Sequence, residues 1–238
     1  MHADSIATRN IVQSAGCATN IQIVDLVIRC TKLCARSALP PRQIVEDMEE
    51  LVVLVDEADR EIGVAGKMAV HRSGELHRAI SVFVFDANDR VLLQQRAAAK
   101  YHSAGLWSNT CCSHPRPDEE NVNAAQRRLR EEMGVECQLA KAFEFSYRAT
   151  FANKLIEHEY DHVYFGRFDG VPRLNPDEAA AWRWLEIEQL AVEVKRHPEA
   201  YSFWLAVCLD RVVALRAAAR QRPTGAVEAP IWKSILWK

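Results

Sequence analysis

Cys111 and Cys112 stand side by side in the segment WSNTCCSHPRP (107–117), two residues before His114. Adjacent cysteines seldom bridge each other, because their Cα atoms are closer than a relaxed disulfide needs. The chemistry open to them is that of a nucleophile, an acid, a metal ligand or a small buried side chain. If the segment is extended, the two side chains point to opposite faces and need not share a role. Glu157 and Glu159, in IEHEYDHVYFG, lie two apart, and on a strand both project to one face. His71, His77 and His114 are scattered, and taken singly each reads as a core or surface histidine. Arg127, Arg128, Glu131 and Glu132 fall in one run, in which Arg128 and Glu132 are i,i+4 neighbours if the run is helical. Alone, such a run reads as a solvated, ion-paired face.

The elements that must hold these residues can be read from pattern. Residues 118–135 (DEENVNAAQRRLREEMGV) predict a helix: Val122, Ala125, Leu129 and Met133 recur at helical spacing, and Gly134 ends it. Residues 49–63 read as a short apolar strand and an acidic turn, and 67–77 as a polar stretch around Ser73-Gly74. Residues 79–96 predict two strands joined by the turn Asp86-Ala87-Asn88-Asp89. FEFSYRATF (143–151) and residues 156–170 read as strands, WRWLEIEQL as a strand entering a helix, and Ala200 to Arg220 as a long amphipathic helix. Strands on both sides of one helix, with a helix at the end, predict an α+β fold of the α/β/α sandwich kind.

The bulk numbers bound the function. The chain has 238 residues, 49% apolar and 26% charged, with a formal net charge of -2. That balance suits one domain with extensions and gives no global argument for nucleic-acid or membrane binding, so an anion site must come from local clustering of Lys and Arg. No apolar run approaches the roughly 20 residues of a membrane span. Seven cysteines, an odd number with no CxxC pair, point to a reduced cytoplasmic protein without a zinc ribbon. Residues 1–47 read as an N-terminal extension expected to be poorly ordered, 48–222 as the catalytic domain and 223–238 as a C-terminal tail.

The helical run resembles the Nudix box, whose pattern is Gly, five residues, Glu, seven residues, Arg-Glu-apolar-x-Glu-Glu-x-Gly-apolar. Glu119, Arg127, Leu129, Glu131, Glu132, Gly134 and Val135 fall in place. Ser113 replaces the first Gly, and Arg128 replaces the Glu after Arg. The second change removes a metal-binding carboxylate and adds a phosphate-binding cation, which favours holding a diphosphate over cleaving it. With that departure the chain resembles the type 1 isopentenyl-diphosphate Δ-isomerases. The residues that carry the resemblance are LHRAISVFVFDANDRVLLQQRAAAKYHSAGLWSNTCCSHPRP, RRLREEMGV, SYRAT, EHEYDHVYFGRFDG and NPDEAAAWRW, in order, within 67 to about 205.

The resemblance implies a mixed-sheet Nudix sandwich, a prenyl diphosphate substrate and a set of roles. Cys112 is the catalytic thiol and Cys111 a filler behind it. Glu159 is the second proton-transfer residue, oriented by Tyr147, and Trp204 closes the pocket over the isoprenoid tail. His71, His77, His114, Glu157 and Glu159 form a divalent metal site. Its mixed N/O set of more than four ligands favours Mn²⁺ or Mg²⁺ over tetrahedral Zn²⁺. A second ion, Mg²⁺, bridges the diphosphate to Glu132 and the backbone carbonyl of Cys112, while Lys67, Arg96, Lys100 and Arg128 neutralise the remaining charge. His102, His158, His162 and His197 match no position and read as structural. A monomer is expected. Two rival functions are a Nudix diphosphohydrolase of a nucleotide or prenyl diphosphate, and a silent Nudix-fold binding module.

Overall fold

The computed structural model describes residues 49–221, so the extension at 1–47 and the tail at 223–238 lie outside the described residues. The chain runs β1 (Leu51–Val55), β2 (Glu61–Gly66), α1 (Lys67–Ser73), β3 (His77–Phe85), β4 (Arg90–Arg96), β5 (Trp107–Ser108), β6 (Cys111–Ser113), α2 (Asn121–Met133), β7 (Leu139–Thr150), β8 (Ile156–Arg167), β9 (Ala179–Glu186), α3 (Ile187–Arg196), a 3₁₀ turn (Pro198–Ala200) and α4 (Phe203–Arg220). The strands form one mixed sheet. β3 is parallel to β8 and antiparallel to β1, β4 and β6, and β9 lies antiparallel to β4.

The period of two along the central strands sorts side chains into two cores. Ile80, Val82 and Val84 of β3 pack with Leu92 against Ala125, Leu129 and Met133 of α2. Phe83 and Phe85, one residue out of phase, pack with Val163 and Phe165 against Ile187, Leu190, Leu205 and Leu209 of α3 and α4. Helices therefore cover both faces, giving the expected α/β/α sandwich.

The predicted helix 118–135 forms over Asn121–Met133, and Gly134 follows it at φ 59. That left-handed conformation suits glycine, and a Cβ there would stand 2.6 Å from the Arg173 carbonyl oxygen. The predicted long helix begins at Phe203 rather than Ala200, because Pro198–Ala200 form a separate 3₁₀ turn. The largest difference is at 67–77. The expected polar stretch contains helix α1, which ends at Gly74 in the left-handed conformation, φ 74, with its N–H donating to the Val70 carbonyl. Seven residues are too few for a helical period to stand out. The helix puts Lys67 and His71 one turn apart on one face. None of the described helices is long and apolar enough to cross a membrane.

Candidate active site

Strand register brings together residues far apart in sequence. In the parallel pair β3–β8, His77 lies opposite Glu159. In β7–β8, Tyr147 lies opposite Glu159 and Ala149 opposite Glu157. β6 sets Cys112 beside Ser81 of β3 and turns Cys111 into the core against α2. Helix α1 contributes His71, and the residue just after β6 is His114.

His71, His77, His114, Glu157 and Glu159 converge, all buried, each with one ligand atom within 4.8 Å of the others'. The ring orientations follow from elementary bookkeeping. His71 Nδ1 lies 2.7 Å from the Lys67 carbonyl oxygen, and His77 Nδ1 lies 3.0 Å from that of Glu75. A carbonyl has no proton to give, so each Nδ1 carries one and each Nε2 is the ring nitrogen turned inward toward the carboxylates. His71 Nε2 then faces Glu157 Oε2 at 3.0 Å, and His77 Nε2 faces Glu157 and Glu159 at 3.9 and 3.8 Å with no hydrogen-bond partner. His114 Nε2 lies 3.0 Å from Glu159 Oε1. Burial pulls His77 down to about 4 and His114 well below the usual imidazole range, so both rings are neutral near pH 7. Three imidazole nitrogens and two carboxylates converging out of water offer the mixed N and O donor set that fits a divalent cation.

The two carboxylates are not equivalent. Burial, reinforced by the charges of Glu157 and Asp161, pushes the Glu159 carboxyl well above the usual carboxylate range. Glu157 moves the other way. Burial opposes its charge, but hydrogen bonds from His102 and His71 outweigh that and hold it low. His102 thus belongs to the site, contrary to the reading of it as structural. Its Nε2 lies 2.5 Å from Glu157 Oε1, and its ring stacks on Phe151 with centroids 4.7 Å apart. Among the described residues the other three histidines stay away from the cluster: His158 pairs with the Gly74 carbonyl, His162 with Asp59, and His197 is exposed.

Cys112, Glu159, Tyr147 and Trp204 line one cavity. Burial pushes the Cys112 thiol up to about 12, although the Arg96 charge draws it toward thiolate. Arg96 Nη1 lies 3.6 Å from the sulfur. At neutral pH Cys112 therefore carries a proton. Tyr147 donates to Glu159 Oε2 at 2.6 Å, and burial keeps its phenol protonated. The Trp204 indole is pinned by Nε1–H bonds to Ser108 Oγ at 3.0 Å and Asn109 Oδ1 at 3.1 Å, with its ring 5.0 Å from the Arg96 guanidinium carbon.

Lys67, Arg96, Lys100 and Arg128 all line the same cavity. Most are matched by carboxylates in this structure. Lys67 Nζ lies 2.9 Å from Glu50, and Lys100 pairs with Glu178. Arg128 reaches Glu131, Glu132 and Glu178 at 2.8, 2.9 and 3.0 Å. The other Glu132 oxygen accepts from Gln94 Nε2 at 3.0 Å. Glu119 and Arg127, two residues of the box pattern, form a two-bond clamp outside the cavity, at 2.7 and 2.8 Å. Arg128 thus sits among the box carboxylates and neutralises them where the Nudix pattern has a further carboxylate.

Residues 75–205 match the NUDIX domain. Isopentenyl-diphosphate Delta-isomerase 2 of Aromatoleum aromaticum is 64% identical over 170 residues, which cover 71% of this chain and 90% of that protein. The chain belongs to the type 1 isopentenyl-diphosphate Δ-isomerases. A second isomerase of that organism is 63% identical, with 74% of this chain and 99% of the relative covered. The isomerase of Serratia proteamaculans is 52% identical, with 66% and 88% covered. Among solved structures, DR0079 of Deinococcus radiodurans shares the fold, with TM-score 0.59 and 22% identity over 68% of this chain and 98% of that one. The resemblance implied roles for most of the quoted residues, but it left His102, Tyr101, Gln94, Asp161 and Glu178 unassigned. Tyr101 and His102 directly follow Lys100, and that adjacency was the one sequence signal for them.

Proposed function

We infer that this protein interconverts isopentenyl and dimethylallyl diphosphate by adding a proton at one end of an allyl unit and removing one at the other. The observation that carries the reading is a protonated thiol, Cys112, and a raised carboxyl, Glu159, lining one cavity whose walls also hold four cations. A hydrolase needs an activated water, whereas these two groups are proton carriers.

The reaction balances as follows. A proton placed on C4 of isopentenyl diphosphate forms a C–H bond with the π electrons and leaves cationic character at C3. Loss of a C2 proton returns the electron pair as the C2=C3 double bond. Cys112 and Glu159 serve as donor and acceptor, and the reverse reaction exchanges their roles. Tyr147 fixes the Glu159 carboxyl through its short hydrogen bond. The Trp204 face favours a nearby cation by about 2 kcal/mol or more when desolvated, without offering a nucleophile. Exclusion of water from the bound substrate would prevent capture of the cation as an alcohol.

His71, His77, His114, Glu157 and Glu159 would hold Mn²⁺ or Mg²⁺, with five N and O donors arguing against four-coordinate Zn²⁺. Bound there, the ion supplies charge that orients Glu159 and tunes its proton affinity. Mg²⁺ arriving with the diphosphate would meet Glu132 and the Cys112 carbonyl, and Lys67, Arg96, Lys100 and Arg128 would take the remaining phosphate oxygens.

Two outcomes are expected. With isopentenyl diphosphate and Mg²⁺, phosphorus NMR should show dimethylallyl diphosphate and no inorganic phosphate. Phosphate release without isomerisation would support a Nudix hydrolase instead. The second concerns proton linkage. A carboxyl with a raised pKa holds a proton that a metal must displace, so binding at neutral pH should release about one proton. Affinity should therefore strengthen as pH rises toward the Glu159 pKa and weaken as pH falls. Calorimetric titration with Mn²⁺ in two buffers of different ionisation enthalpy checks this; identical heats would contradict it.

A further inference from the structure

The segment NPDEAAAWRW carries part of the family resemblance, yet the reaction above gives its acidic residues no task. The structure shows where one of them goes. Glu178 places Oε2 on the Lys100 ammonium and Oε1 3.0 Å from Arg128 Nη2. Its backbone joins the same two elements. The Ala97 N–H donates to the Glu178 carbonyl at 3.0 Å, anchoring the start of the irregular segment that bears Lys100. The Arg173 and Asn175 N–H groups donate to the Met133 and Glu132 carbonyls at 2.8 and 2.9 Å, capping the end of α2, the helix that bears Arg128. Asn175 in turn accepts from the Glu178 N–H at 3.0 Å and, through its side chain, from Asp177 at 3.1 Å.

We propose that Glu178 is a positioning residue of the diphosphate site, holding Lys100 and Arg128 side by side in the cavity wall at the spacing a diphosphate uses. Each cation needs such a holder for its own reason. Lys100 lies outside any helix or strand, and a lysine side chain has many rotamers to lose when it binds. Arg128 is also drawn toward Glu131 and Glu132, so its guanidinium has competing partners. The two like charges repel, and a fixed carboxylate between them offsets that repulsion. Burial opposes the Glu178 charge, but the two cations hold its carboxyl down at about 2, so it is ionised throughout the working range.

This proposal rests on the diphosphate reading, and its test reads binding instead of turnover. Inorganic diphosphate with Mg²⁺ is titrated calorimetrically into the full chain and its variants. Glu178→Gln should bind about tenfold more weakly, the scale of losing one charge-assisted contact in a binding site. In turnover, KM should rise more than kcat falls. In a Lys100→Gln background the same substitution should lose markedly less, because one of the two cations it holds is gone. Glu178→Asp, which keeps the charge and the backbone contacts, should lose less than Glu178→Gln and serves as the second variant if the first unfolds. Unchanged or tighter binding by Glu178→Gln would mean the carboxylate only competes with the substrate anion, and equal losses in both backgrounds would mean it does not act through Lys100; either overturns the proposal. Failure of the unsubstituted protein to bind Mg²⁺-diphosphate would instead remove the diphosphate reading, and the proposal with it.

Discussion

Replacing Cys112 by alanine is expected to lower isomerisation by about 10⁴-fold, the upper range for one positioned proton-transfer group. Mg²⁺-diphosphate affinity should stay within a few-fold of wild type, because the cations stand on other elements and any metal contact here is with a backbone carbonyl. The adjacent substitution gives the contrast. Cys111 is fully buried in the core beneath α2 and points away from the cavity. Cys111→Ala should cost about 1 kcal/mol of stability, visible in urea denaturation, and leave turnover nearly intact. Comparable losses of turnover in both variants would show that the thiol is not the reacting group.

Glu159→Gln is expected to be at least as damaging, because one side chain has two tasks. The amide keeps the shape and can still accept from Tyr147, but it can neither take nor give the proton and is a poorer ligand for a hard cation. Turnover should fall by about 10⁴-fold or more, and Mn²⁺ affinity by at least about tenfold, measured by metal titration of the purified variant. Tyr147→Phe removes only the orienting hydrogen bond and should lose about 10- to 100-fold in kcat with little change in Mn²⁺ affinity. A Glu159→Gln variant with wild-type metal affinity would break the link between the metal cluster and the proton-transfer group. Turnover within tenfold of wild type would remove Glu159 from the reaction.

What the sequence made legible was local. The β3–β4 hairpin announced itself through its turn residues, and α2 through its apolar spacing and the glycine after it. Glu157 and Glu159 could be set on one face from the period of a strand alone, and Asp161 is the next residue on that face. It is buried, accepts from Ser81 Oγ at 2.7 Å, and is pushed up to about 7 by burial, so a third carboxylate stands next to Glu159 along the strand. Long-range register was not legible. That His77 stands beside Glu159 depends on parallel pairing of strands about eighty residues apart, which no local pattern encodes. Helix α1 was too short to show a period, although it presents both Lys67 and His71. His102 and Glu178 are single residues in irregular segments, and their parts in the site follow only from what the sheet and the end of α2 bring to them. For Cys112, Trp204 and the four cations the resemblance supplied the roles, because a lone thiol, indole or lysine has no spacing to read. The structure adds their surroundings: the Arg96 guanidinium lies near both the thiol and the indole face, and three of the four cations are held by carboxylates.

The central claim is that two protein groups move protons to and from solvent-exchangeable positions on the substrate while the diphosphate stays intact. Isopentenyl diphosphate incubated with the protein and Mg²⁺ in D₂O tests it directly, with the products followed by deuterium and phosphorus NMR. The expected result is dimethylallyl diphosphate carrying deuterium in a methyl group, with no phosphate released. Isomerised product free of deuterium would mean that the hydrogen passes directly between substrate carbons, and phosphate release without isomerisation would mean a hydrolase; either would contradict the assignment of Cys112 and Glu159 as proton carriers.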